Sequence, residues 1–136
     1  MKVKKYCDVI VVNDGSDDKT LEYAKKSGAK VVSNEKSQGY DLALIKGINY
    51  AINLKYKVLI TMDADGQHPI ELIPEFLNSI IENNYKVVIG VRNKIPRFSE
   101  KLFNIYTKNI HGLIDALSGM KAYSVEIFNF IDIKKF

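Results

Sequence analysis

Val58-Leu59-Ile60-Thr61-Met62 runs without a break into Asp63-Ala64-Asp65-Gly66-Gln67-His68-Pro69. Five apolar or β-branched residues ending at an acidic turn read as a buried strand that leaves its sheet at Asp63. Two carboxylates at i and i+2 on such an exit can both turn toward one ligand. As a bare motif, Asp-x-Asp fits an ordinary polar loop as well as a site for a hard cation such as Mg²⁺ or Mn²⁺. A calcium-binding helix-loop-helix is excluded on spacing. Its third ligand position would be Gln67, and its twelfth, which requires Glu, would be Pro74.

Upstream, Asp8 to Val12 forms a second β-branched run, stopped by the turn signal Asn13-Asp14-Gly15. Asp17 or Asp18 can cap a helix over Thr20 to Ser27, which Gly28 ends. Lys30 to Ser33 reads as a short strand. Tyr40 to Leu54 places Leu44, Ile48, Ala51 and Ile52 on one helical face. Downstream, Pro69 and Pro74 sit near a helix start, and that helix runs to about Asn83 with Ile73, Leu77, Ile80 and Ile81 inward. Val87 to Val91 is a strand, Phe98 to Leu117 is mostly helical, and Lys121 to Tyr123 is a last short strand before a helical turn.

Strands alternating with helices predict an α/β fold, with a mostly parallel sheet covered by helices on both faces. Ligands of such sheets bind beyond the carboxyl ends of the strands, where Asn13-Asp14 and Asp63-Asp65 both lie. The expectation is that the two acidic clusters converge at one rim. No G-x-G-x-x-G and no G-x-x-x-x-G-K-[ST] pattern occurs, so dinucleotide binding and ordinary ATP hydrolysis lack support.

The 136 residues suit a single domain over 1–136, with 46% hydrophobic and 26% charged residues marking a globular chain. A lone Cys7 allows no internal disulfide and fits a reducing compartment. No apolar run approaches the ~18 residues of a membrane span, so a cytoplasmic protein is expected. The net charge of +4 collects in small clusters at Lys2, Lys4, Lys5, Lys25, Lys26, Lys134 and Lys135. These read first as solvated surface, and second as attraction to an anionic substrate or the acidic inner face of a membrane. Nucleic acid is not indicated, because no basic stripe is interleaved with aromatics.

Taken together, Val12-Asn13-Asp14-Gly15-Ser16-Asp17-Asp18, then Gln38-Gly39 with Ala43 and Gly47, then Asp63 to Pro69, resemble the large family of inverting nucleotide-sugar glycosyltransferases. Ile89-Gly90-Val91-Arg92 and Ser118-Gly119-Met120-Lys121-Ala122-Tyr123 look like segments of its dolichol-phosphate mannose synthase and bacterial polyprenyl-phosphate branch. The resemblance implies the GT-A fold and metal-dependent transfer of a hexose from a nucleoside diphosphate sugar, with inversion, to a polyprenyl phosphate or similar acceptor.

By the same resemblance, Asn13, Asp14, Gly15, Ser16, Gln38, Gly39, Asp63, Ala64 and Asp65 bind the nucleotide sugar. Asp63, Asp65 and Gln67 hold Mg²⁺ or Mn²⁺. Arg92, Ser118 and Lys121 face acceptor or donor phosphate, and Asp115 is the candidate base. The plainer alternatives are a surface cation at Arg92 and a helix-end polar residue at Asp115. His68, ahead of Pro69, shapes its loop and His111 is a partly exposed helix residue.

Departures from the family pattern carry expectations of their own. Too few residues precede Asp8 for the usual first strand and helix, and the acceptor-binding helices that follow the Ser-Gly segment elsewhere are missing at Phe136. An incomplete domain is therefore expected, with an unpaired edge on the Val9–Val12 strand through which two copies could pair. A non-enzymatic, self-associating remnant is the alternative function. A nucleotidyltransferase is disfavoured because its Gly-rich amino-terminal loop is absent. Lys121 stands where the pattern has Arg, giving a point charge instead of a two-pronged contact. The Arg92–Phe98 loop looks short.

Overall fold

A computed structural model describes residues 2–92 and 98–131. The stretch between Arg92 and Phe98, and the lysines at 134 and 135, lie outside the described residues. The chain forms two compact units, one from the residues up to Leu59 with those from Val125 on, the other from Ile60–Ser124.

The first unit is a β-α-β-α run. Strand β1 (Ile10–Asp14) leads to helix α1 (Thr20–Lys26), strand β2 (Lys30–Asn34) and helix α2 (Tyr40–Asn53). β1 and β2 are parallel, in a register that sets Ile10 beside Lys30 and Asp14 beside Asn34. Both strands therefore end at the same level. Ala24 of α1 and Ile48 and Ala51 of α2 are buried against this pair, as the helical periodicity requires. Asp18 Oδ1 accepts the N–H of Thr20 at 2.9 Å, in the turn just ahead of α1. At the opposite end of β1, Lys30 Nζ donates to Asp8 Oδ2 and to the Tyr56 hydroxyl, both at 2.9 Å. The Tyr56 hydroxyl in turn donates to Asp8. Among the described residues, β1 has one strand neighbour, β2.

In the second unit, helix α3 (Ile73–Ile81) follows a 3-10 turn over Ile70–Leu72 and carries Pro74 in its first turn. Its residues Ile73, Phe76 and Ile80 are buried, with Met120 and Ala122 completing the apolar core. Ile81, assigned inward from its spacing, is 58% exposed. It is the last helical residue, where the buried face has already turned away.

Strand β3 (Val58–Thr61) belongs to a sheet of order β3-β5-β4, formed with β4 (Val87–Ile89) and β5 (Lys121–Ser124). β4 and β5 are antiparallel, pairing Val87 with Tyr123 and Ile89 with Lys121. This pair departs from the parallel alternation, because the chain returns from helix α4 (Phe98–His111) in the reverse sense. α4 also stops earlier than Leu117: Gly112 takes φ +67° and donates its N–H to Lys108 O at 3.0 Å, a helix-ending conformation. A 3-10 turn over Val125–Asn129 supplies the helical turn expected after β5.

Candidate active site

The carboxyl ends of β1 and β2 are locked together by one side chain. Asp14 accepts hydrogen bonds from Asn34 Nδ2 (2.6 Å), Ser37 Oγ (2.7 Å) and the backbone N–H groups of Gln38 (3.0 Å) and Gly39 (2.9 Å). Four donors fill the acceptor capacity of a carboxylate. The Asn34 bond first, then those from Gln38 and Ser37, hold its pKa well below the ordinary carboxylate range. Within its own unit Asp14 thereby organises the 34–39 loop.

Gly15 allows that loop to come close. A Cβ built there would fall 2.6 Å from the backbone carbon of Lys36 and the nitrogen of Ser37. Lys46 of α2 braces the other side, donating to Ser33 O at 2.7 Å and to Asn34 Oδ1. Asn13 is 4% exposed, and its Oδ1 is buried without a hydrogen-bond partner among the described residues. A buried polar atom left this way calls for an explanation. Ser16, Gln38 and Gly39 are exposed at the same strand ends.

The second unit gathers the remaining residues. After β3, Asp63, Ala64, Asp65, Gly66 and Gln67 form an exposed loop. Asp65 Oδ1 accepts the N–H of Gln67 at 2.9 Å, a turn that fixes its orientation. His68 Nε2 lies 3.2 Å from Asp63 Oδ2. The Ser118–Lys121 segment packs directly on this loop, since a Cβ at Gly119 would fall 2.2 Å from Asp63 Oδ2. Thr61 Oγ1 donates to Gly119 O at 3.2 Å. Lys121 is half-buried, and burial lowers its pKa against the opposing pull of Asp115 and Asp63.

Arg92 and Asp115 are brought together. The Arg92 backbone N–H and Nε both donate to Asp115 Oδ2 at 2.9 Å, and Nη2 donates to Asp115 Oδ1 at 2.7 Å and Glu100 Oε2 at 2.9 Å. The Asp115 side chain is 0% exposed. The Arg92 hydrogen bonds hold its pKa below the ordinary range and raise that of Arg92. A buried, ion-paired carboxylate of lowered pKa is a poor proton acceptor, and an arginine matched by two carboxylates is a poor phosphate ligand. Together the two residues form an internal clamp. Ser118, expected at phosphate, is 2% exposed and donates its N–H to Asp115 O at 3.0 Å.

The donor set suits a hard divalent ion that keeps part of its own shell. Among the described residues no group of three or more His, Cys, Asp or Glu side chains could by itself hold a metal ion. Two exposed carboxylates and the Gln67 amide leave positions for water and substrate phosphate, which is how Mg²⁺ and Mn²⁺ are usually held. Sequence reasoning missed Asn34, Ser37, Lys46, Glu100 and Thr61. The only local signals were an Asn ending a strand and an acid eight residues after Arg92.

Comparison with known proteins shows the family and the fold. The chain is 33% identical to a dolichyl-phosphate hexose transferase of Haloferax volcanii over 90% of its own length and 56% of that protein's. It is 30% identical to an undecaprenyl-phosphate mannosyltransferase of Micrococcus luteus, covering 93% of the chain and 58% of the relative. The chain thus spans little more than half of these relatives. The fold matches glucosyl-3-phosphoglycerate synthase of Mycobacterium tuberculosis, solved with Mn²⁺, UDP-glucose and phosphoglyceric acid. There the TM-score is 0.68 at 24% identity, over 88% of this chain and 46% of that one. Residues 3–129 match the family described as Glycosyl transferase family 2. With its strand-end acidic loops and an α/β fold shared with a sugar-nucleotide enzyme, the chain belongs to glycosyl transferase family 2.

Proposed function

We propose that the chain forms the donor-binding part of an inverting glycosyltransferase that passes a hexose from a nucleoside diphosphate sugar to a polyprenyl phosphate. The observation that carries this reading is the packing of Ser118–Lys121 onto the Asp63–Gln67 loop, which sets a lysine within the field of the exposed Asp63 carboxylate. Asp63, Asp65 and Gln67 hold the divalent ion. Bound there, Mg²⁺ or Mn²⁺ supplies Lewis-acid neutralisation of the charge that grows on the departing diphosphate. Lys121 attracts phosphate. The acceptor phosphate oxygen attacks the anomeric carbon as the bond to the donor diphosphate breaks on the opposite face. Because a phosphate monoester is already ionised near neutral pH, the step needs no strong base, and Asp115 is left to hold Arg92.

Unfolding in the presence of Mn²⁺ with UDP, and separately with GDP, tests the donor site. Ligand at a hundredfold excess over Kd stabilises by about 2.7 kcal/mol, a rise of several degrees in Tm. Asp65→Ala is expected to abolish the joint shift while leaving the apo Tm within about 2 °C, as for an exposed substitution. No shift with either nucleotide at millimolar concentration would overturn the reading.

The surface of α4 supports an acceptor carried by a membrane. No helix of the described residues is long and apolar enough to cross one. Asn104 and Thr107 of α4 are buried, while Leu102, Phe103, Ile105, Tyr106 and Ile110 are all exposed, Ile105 by 57% and Ile110 by 56%. The helix turns its polar side inward and its apolar side out. From Lys101 to Leu117 the one acidic residue, Asp115, is buried, whereas Lys101 and Lys108 are exposed. An apolar face beside exposed lysines fits an anionic lipid surface. The chain is expected to sediment with phosphatidylcholine vesicles containing phosphatidylglycerol. Ile105→Asp with Ile110→Asp should reduce that binding about tenfold or more, since each removes a buried aliphatic contact. Equal sedimentation of the double variant would refute the surface assignment.

A further inference from the structure

We infer that His68 and Gly119 are positioning residues for Asp63, together fixing which of its oxygens is presented to a divalent ion. The inference rests on the donor-site reading above and deepens it. A carboxylate can only accept, so the 3.2 Å approach of His68 Nε2 to Asp63 Oδ2 is an N–H donated by the imidazole. The His68 side chain is 10% exposed, against 42% for Asp63, so the donor is embedded and the acceptor projects from it.

Gly119 lies against the same oxygen, next to the imidazole. A Cβ there would lie 2.2 Å from Asp63 Oδ2, 2.9 Å from its carboxyl carbon and 3.0 Å from His68 Nε2. Gly119 is not among the glycines at positive φ, so the position demands glycine for space rather than for backbone conformation. The Thr61 hydroxyl of β3 donates to the Gly119 carbonyl and ties that segment to the strand. Oδ2 is thereby held close to both the imidazole and Gly119. Oδ1 makes no hydrogen bond among the described residues and is the oxygen free to meet a cation. Outer groups of this kind orient a ligating carboxylate, and losing one typically weakens metal affinity by about 10- to 100-fold.

The test is Mn²⁺ affinity read directly, by electron paramagnetic resonance of the free ion, on the wild-type chain and on Asp65→Ala, His68→Ala, His68→Gln and Gly119→Ala. Wild-type binding that Asp65→Ala removes upholds the donor site independently of the inference. With that in place, His68→Ala is expected to weaken binding about tenfold. His68→Gln, whose amide N–H can reach the same oxygen, should recover most of it. Gly119→Ala should weaken binding at least as much, and the two His68 variants decide the matter if Gly119→Ala fails to fold. Unchanged affinity in His68→Ala, or equal loss in His68→Ala and His68→Gln, overturns the inference while the donor site stands. Absence of Mn²⁺ binding by the wild-type chain overturns both.

Discussion

Replacing Asp115 by Ala lowers the unfolding free energy by about 3–5 kcal/mol, the usual result of breaking a buried ion pair from one side. The carboxylate is fully buried and takes three hydrogen bonds from Arg92, one of them from its backbone. Alanine would leave the guanidinium with Glu100 as its remaining anion and would strand the Arg92 N–H. It would also sit badly at φ +55°, a left-handed conformation that Asp and Asn tolerate better than Ala. Asp115→Asn separates these effects, because it keeps the conformational tolerance and an acceptor but removes the charge. Its loss should be clearly smaller than that of Ala. Equal losses from the two variants would show that the lost charge alone, not the acceptor or the left-handed backbone, accounts for the effect.

The same pair sets a pH dependence. The folded pKa of Asp115 is depressed, first by its Arg92 hydrogen bonds. As pH falls, the unfolded chain therefore takes up this proton before the folded chain does. The pair contributes fully above the ordinary Asp value of about 3.9, and its contribution drains away as pH falls from there toward the folded value. Denaturation curves across the acid range should show a shallower decline in Asp115→Asn, by at most ~1.4 kcal/mol per pH unit for one proton. Asp14, whose pKa is lowered mainly by Asn34, keeps its own acid dependence in that variant.

What could be read from sequence divides along the distance between interacting residues. The β1–α2 run follows from local punctuation: Asn13-Asp14-Gly15 stops one strand, and α2 begins at Tyr40 as its periodicity requires. α4 was overextended because the apolar spacing continues through Leu113, Ile114 and Leu117, although the backbone turns at Gly112. In the site, the Asp63–Gln67 loop was legible because strand and acids are contiguous. The four donors to Asp14 were not, since they lie 20 to 25 positions away and meet it only through the β1–β2 register. Arg92 and Asp115 are 23 positions apart, and each alone resembles a free catalytic group. Pairing removes that freedom, and no local pattern announces pairing across an intervening helix.

Gly15→Ala is the sharpest test of the loop that Asp14 holds. At φ +72°, any Cβ costs roughly 1–2 kcal/mol in backbone strain. Here the Cβ would also lie 2.6 Å from the backbone of Lys36 and Ser37, where no side-chain rotation can relieve the overlap. Overpacking of this kind adds typically about 1–3 kcal/mol. Relief by moving the loop would draw Ser37, Gln38 and Gly39 off Asp14, so strain is exchanged for lost hydrogen bonds rather than avoided. The combined loss should reach about 3–4 kcal/mol, on the order of 10 °C in Tm. Gly66→Ala is the matched control, because Gly66 has φ +79° with nothing within 4 Å of its Cβ position. It should cost the backbone strain alone. The difference between the two variants measures the close approach of the 34–39 loop, and equal destabilisation would mean that the loop is not pressed against the end of β1.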